Sequence, residues 1–189
     1  VVTWGDGTSG ATGVVSASNS LVGLPNASAG GGGVIALANG NYVVSSSSWY
    51  DETLTTINIG AVTWGNGTSG ITGPISTANS LVGVSSYDSV GDGGLVALTN
   101  GNYVVVSTGL WSDVPSVTWV NGTSMATGVI SAANSLVGSK ADDDVGGGLW
   151  SSGVVALTNG NYLVGSPFWD NGSVVDAGAV TWGDGTSGT

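Results

Sequence analysis

The sequence predicts an all-β fold of antiparallel four-stranded units, each about sixty residues long and arranged like the blades of a β-propeller. Three observations predict it. A Leu-x-Asn-Gly-Asn-Tyr stretch followed by strand-forming residues begins at Leu37, Leu98 and Leu157, giving spacings of 61 and 59 residues. A Val-Thr-Trp run followed by Asp-Gly or Asn-Gly recurs at Val2, Val62, Val117 and Val180. Glycine fills 35 of 189 positions without a Gly-x-y period, and it separates short runs of Val, Leu, Ile, Thr, Tyr and Trp.

Each element follows from local chemistry. Asn-Gly between two apolar runs is a hairpin signal, because both residues tolerate positive φ. The first two strands of a unit therefore flank Asn39-Gly40, Asn100-Gly101 and Asn159-Gly160. In the strand Asn102 to Ser107, Tyr103 and Val105 alternate with Val104 and Val106, so both faces are apolar and both need cover. The third strand carries Trp4, Trp64, Trp119 or Trp182, placed for packing between units. A fourth strand is expected over Thr12 to Ser18, Thr72 to Thr77 and Thr127 to Ala132. An Asn-Ser-Leu-Val-Gly marker follows, from Asn19, Asn79 and Asn134, and then a linker that reads Asp-x-Val-Gly at Asp88 and Asp143. The resulting organisation is 1–23, the second half of a unit; 24–83 and 84–138, whole units; and 139–189, the first three strands of another. A little over three units cannot close a ring of the usual four to eight blades. A segment of a longer array or a part of an oligomeric assembly is expected. A β-solenoid or an open stacked β-array is the competing architecture, although solenoid coils are shorter and need no Asn-Gly hairpins.

Composition narrows the function classes. Net charge is −11, from twelve acids against Lys140. Such a chain has no electrostatic attraction for a phosphate backbone or for anionic lipid, so neither nucleic acid nor membrane insertion is expected. Only 7% of residues are charged, against about a quarter in ordinary cytosolic domains. An extracellular or cell-surface location is expected. His and Cys are absent, which excludes histidine-based triads, cysteine nucleophiles and the usual zinc sites; no enzyme is expected.

The remaining candidates are aromatic and acidic. Trp49, Trp111 and Trp169 follow the second strand near a loop, where an indole can stack on a sugar or cover the edge of the sheet. Asp51, Asp113 and Asp170 sit close after them, as turn caps or as ligand contacts. Asp142, Asp143 and Asp144 form the acidic run; a solvated loop is the plain reading, and a weak Ca²⁺ site is the alternative. No other cofactor is expected.

The order of these motifs resembles the FG-GAP repeat, the blade unit of integrin α-subunit β-propellers, and in particular repeats of large secreted bacterial haemagglutinin- or adhesin-like proteins. Val145-Gly146 matches its Phe-Gly, Val164-Gly165-Ser166-Pro167 its Gly-Ala-Pro, and Gly178-Ala179-Val180-Thr181-Trp182 its Gly-x-Val-Tyr strand. The resemblance implies a propeller blade. It carries no metal site onto this chain, because the hairpins at Asn39, Asn100 and Asn159 hold no carboxylate. The expected function is a non-catalytic structural repeat of a secreted or surface protein, stacking with copies of itself or with further repeats and capable of forming filaments. The alternative is an adhesin or lectin-like module that binds a glycan or host protein through loop tryptophans.

Overall fold

The computed structural model describes residues 1–52, 56–109, 114–147 and 153–188. The fourteen strands among these residues fall into successive groups. In the first, Val2 bridges antiparallel to β1 (Leu21–Val22). In the second, β2 (Gly33–Ala36), β3 (Tyr42–Ser46) and β4 (Ala61–Gly65) form a meander, followed by β5 (Gly73–Pro74) and β6 (Ser80–Val82). The third repeats this order with β7 (Gly94–Ala97), β8 (Tyr103–Ser107), β9 (Ser116–Val120), β10 (Gly128–Val129) and β11 (Leu136–Val137). The last holds β12 (Val154–Ala156), β13 (Tyr162–Ser166) and β14 (Ala179–Gly183). A 3₁₀ turn at Ala141–Asp143 is the one helical element among the described residues. The fold is all-β, as expected, but its small sheets form no closed barrel or propeller ring among those residues.

The meander register is the same in each repeat: Tyr42 pairs with Gly65, Tyr103 with Val120, and Tyr162 with Gly183. The Asn-Gly hairpins close through the Leu37 N–H donating to the Asn41 carbonyl at 2.8 Å, with Gly40 at φ 87°. Leu98 and Leu157 repeat this bond to Asn102 and Asn161.

The fourth strand differs from the expectation. The Thr72–Thr77 and Thr127–Ala132 segments do not join their own meander. Gly73 and Gly128 take positive φ, and Pro74 has no N–H to donate, so the chain turns away from the third strand. These segments instead pair in parallel with the preceding repeat: β5 with β1, and β10 with β6. The Asn-Ser-Leu-Val marker supplies the strand that lies beside the third one, so β6 pairs with β4 and β11 with β9. Its chemistry explains the marker. Asn79 Oδ1 accepts from the Ser76 N–H, its Nδ2 donates to the Pro74 carbonyl, and Ser80 and Thr63 hydroxyls meet at 2.7 Å. Asn134, Ser135 and Thr118 repeat the set.

Strand alternation gives each sheet two apolar faces, and consecutive sheets pack on one another through them. On one face of the second group, Val43, Val62, Trp64 and Leu81 pack with Tyr103, Val105 and Val120 of the third. On its other face, Val44, Ala61 and Val82 pack with Leu21. Val104, Val106 and Val117 then pack with Tyr162, Val164 and Val154. The core is therefore a row of inter-repeat layers. Fully burying one Val or Leu side chain contributes about 1.5–3 kcal/mol, so these layers dominate what holds the array together.

The linker runs on one path in all three copies. Asp88 and Asp143 occupy matching turns, and so does Ala27, which is buried in the core where the acid is not needed. The first linker thus has the same shape without the Asp-x-Val-Gly letters. Gly91, at φ 80°, lies against the preceding sheet, where an added Cβ would come within 2.7 Å of Ser45 Oγ and 2.8 Å of Val62 Cγ2. That contact sets how closely two repeats approach.

Candidate functional site

The feature that recurs most strictly is a hydrogen-bonded seam between one repeat and the next. It is built from the hairpin asparagines, the third-strand tryptophan and one glycine carbonyl. Asn39 Nδ2, Asn41 Nδ2 and Trp64 Nε1 donate to the Gly122 carbonyl of the following repeat, at 2.9, 3.0 and 2.9 Å. One repeat further on, Asn100 Nδ2, Asn102 Nδ2 and Trp119 Nε1 donate to the Gly185 carbonyl at 2.7, 2.8 and 2.9 Å. Trp4 Nε1 donates to the Gly67 carbonyl at 3.1 Å.

The turn that carries the acceptor is fixed from both sides. Asn102 Oδ1 accepts from the Gly122 N–H at 3.0 Å, as Asn41 does from Gly67 and Asn161 from Gly185. Each of these glycines lies over its own hairpin, so closely that a Cβ on Gly122 would run into the Gly101 carbonyl. The turn itself is an Asx turn: Asn121 Oδ1 accepts from Thr123 N–H and hydroxyl, and Asn66 and Thr68 do the same. Asn66-Gly67-Thr68 and Asn121-Gly122-Thr123 are therefore folding motifs in their own right. Asp6 and Asp184 hold the same place at the two ends, and hydrogen bonds from Thr8 lower the Asp6 carboxyl to about 2.

The tryptophans expected to meet a ligand are placed differently. Trp49 is 2% exposed and packs in the core with Leu21 and Ile59, so its ring is not offered to solvent. Trp169 is half-buried, beside Phe168, which is 48% exposed. Trp111 and Asp113 lie outside the described residues. Asp51 is half-buried after Trp49. Asp170 accepts from the Asp176 N–H at 2.9 Å and pairs with Lys140 Nζ at 2.8 Å; the Lys140 contact, then the Asp176 bond, hold its carboxyl below the usual range. It closes its loop and ties that loop to the linker.

The acidic run does not converge. Asp142 is exposed, Asp144 is half-buried in the left-handed region, and Asp143 is buried in its own turn. Asp143 Oδ2 accepts from the Ser139 N–H and hydroxyl at 2.6 and 2.7 Å and from the Lys140 N–H at 3.1 Å. Burial opposes its charge, but these hydrogen bonds outweigh burial and hold the carboxyl below its ordinary value. Among the described residues no three His, Cys, Asp or Glu side chains are placed to share a metal ion.

A pH prediction follows from Asp143. Its folded pKa is depressed, so its contribution to stability is present above the ordinary carboxylate pKa of about 4 and is lost as pH falls through the folded value. Asp143→Asn is expected to flatten the acid limb of stability. Urea midpoints taken from about pH 5 down to about pH 2.5 should fall less in the variant than in the parent. An equal fall in both would mean that the Asp143 charge does no stabilising work.

The seam was not identified from the sequence, although a signal was present: each Asn-Gly-Asn hairpin travels with one Trp and with one glycine before Thr-Ser. What these groups can do chemically is recognise a backbone carbonyl of a like repeat. A model of the family described as Repeat of unknown function (DUF5650) matches residues 1–32, 36–92, 97–147 and 156–189. The two central matches run from one Asn-Gly hairpin into the following linker. No curated protein and no solved structure matches the chain.

Proposed function

The chain belongs to this DUF5650 repeat family, and from that premise we propose that it is a non-catalytic structural module of a secreted or cell-surface protein, whose units act as propeller-like blades stacked into an array. The single observation that carries the reading is the seam: the same three donors meet one glycine carbonyl at two successive levels. Binding energy in this molecule is directed from repeat to repeat. The absence of His and Cys, the low charge and the Ser, Thr, Asn and Gly surface agree with a passive extracellular role.

A second reading, adhesion to a glycan or host protein, is favoured by one local feature, the exposed Phe168 beside the half-buried Trp169. A glycan array probed with the protein, together with a Trp169→Ala variant, separates the two. The structural reading expects no saturable binding. Binding to a defined glycan that the variant loses would replace it with the adhesin reading.

A further inference from the structure

Asn-Gly is the dipeptide that loses its side-chain amide most readily, because glycine sets no Cβ beside its own nitrogen. The chain holds six such pairs, at Asn39, Asn66, Asn100, Asn121, Asn159 and Asn171. Exposure does not distinguish them, since all but Asn66 are exposed. Their hydrogen bonds do. In the Asn-Gly-Asn hairpins glycine closes the turn, and its N–H donates back: Gly40 to the Leu37 carbonyl at 3.0 Å, Gly101 to Leu98 and Gly160 to Leu157, both at 3.1 Å. The asparagine Oδ1 accepts from the N–H two residues on, at Asn41, Asn102 and Asn161. In the third-strand turns, the Gly67 N–H donates to Asn41 Oδ1 and the Gly122 N–H to Asn102 Oδ1. Asn66 and Asn121 are held there by Thr68 and Thr123.

Asn171-Gly172 differs on both counts. Asn171 and Val174 exchange backbone bonds at 3.0 and 3.1 Å around a two-residue turn. Gly172, at φ 62°, is the first residue inside that turn and not the one that closes it, so the turn makes no use of its N–H. Among the described residues neither this N–H nor the Asn171 carboxamide has a hydrogen-bond partner. A Cβ on Gly172 would meet nothing within 4 Å, so the space beside it is open. The openness belongs to the loop itself. At the internal level, the stretch that meets the following repeat is the one before the third strand, where Ile57, Asn58 and Ile59 accept from Tyr87, Ser89 and Val90 of the next linker. The stretch after the tryptophan faces its own linker instead: Tyr50 donates to the Pro25 carbonyl, and Asp170 pairs with Lys140. Asn171 belongs to that second stretch.

We propose that Asn171 is a site of spontaneous self-modification, at which the folded chain deamidates while its other Asn-Gly pairs stay intact. The Gly172 nitrogen gives its proton to hydroxide and attacks Asn171 Cγ. The N–Cγ bond forms, the Cγ–Nδ2 bond breaks, and Nδ2 takes a proton from water and leaves as ammonia. Water then opens the five-membered imide. Opening at Cγ leaves aspartate; opening at the α-carbonyl leaves isoaspartate, in which the backbone runs through the former side chain. Either product adds one carboxylate to a chain of net charge −11, next to Asp170, whose charge Lys140 opposes. The same loop carries Phe168 and Trp169, so the change falls on the surface that an adhesin would use. The asparagines of the seam keep their amides.

The test is incubation of the folded 189-residue chain in mildly alkaline buffer, with peptide mapping by mass spectrometry at each of the six sites. The same mapping in urea supplies the unfolded reference, and Asn171→Gln is the control. In the folded chain the site at Asn171 is expected to convert first, at a rate close to its rate in urea. Each other site should convert at least about tenfold more slowly folded than in urea, because the reaction there waits on the opening of hydrogen bonds. Raising the pH should speed conversion at Asn171, since the deprotonated nitrogen is the reacting form. Asn171→Gln should leave the folded chain unmodified over the same period. Conversion at Asn171 no faster than at the hairpin sites, or suppressed by folding as strongly as theirs, would overturn the inference. So would an early gain of mass in folded Asn171→Gln.

Discussion

Gly122→Ala is expected to abolish the packing of the second repeat on the third. The new Cβ would collide with the Gly101 carbonyl, so the turn must lift away from its hairpin. That movement carries off the Gly122 carbonyl, which accepts from Asn39, Asn41 and Trp64. Overpacking costs about 1–3 kcal/mol, and a buried donor left without a partner costs about 1–3 kcal/mol more. The expected loss is about 2–6 kcal/mol, and the urea midpoint should fall with it. The same change at Gly7, where a Cβ meets nothing within 4 Å, should cost less than about 0.5 kcal/mol. Equal costs at the two sites would remove the steric account of this glycine.

Trp64→Ala and Trp182→Ala make a second paired prediction, with one residue type at one register in two environments. Trp64 is buried between two sheets and its Nε1 donates at 2.9 Å, so truncation should cost about 3–5 kcal/mol. Trp182 is 55% exposed, and its truncation in the monomer should cost less than about 1 kcal/mol. Urea denaturation of each variant beside the parent checks both. A large cost at Trp182 would mean that its ring supports its own repeat.

How far the fold was legible depended on how local its causes are. The hairpins at Asn39, Asn100 and Asn159 were readable because Asn-Gly turn chemistry acts over a few residues. The burial of both faces of Tyr103–Ser107 was readable because a period of two needs no partner to be seen. The fourth strand departs from the expected pairing for a physical reason. Val14, Val15, Ile75 and Ile130 look like strand residues; Ile75 and Ile130 bond to the repeat before their own, whereas Val14 and Val15 are exposed and join no strand. Gly73 and Pro74 were the warning, since together they break an antiparallel ladder. The short Leu-Val pieces that take the place are two or three residues long, below what alternation can reveal. The path of the linker is set by its turn and not by the Asp-x-Val-Gly letters, so Ala27 serves as well as Asp88.

The seam was the least legible feature because its partners lie 58 to 85 residues apart. No window of sequence holds both the donors and the acceptor. The tryptophan pattern identified Trp64 and Trp119 as packing between units, but not the carbonyl they meet. Trp49 gave the opposite lesson: an indole near a loop looks available, yet tertiary packing with Ile59 and Leu21 encloses it.

Exchange of the indole N–H protons with deuterated solvent, followed by NMR, tests the central claim most directly, because the claim is that the third-strand tryptophans Trp4, Trp64 and Trp119 are each bonded to the next repeat. Trp4, Trp64 and Trp119 donate across seams, and Trp182 does not. In the dilute monomer, the Trp64 and Trp119 indole protons should exchange slowly, in step with unfolding of the array, Trp4 should be protected as well, and Trp182 should exchange at the rate of an exposed indole. Trp64 and Trp119 protons that exchange as fast as that of Trp182 would contradict the stacked-repeat account.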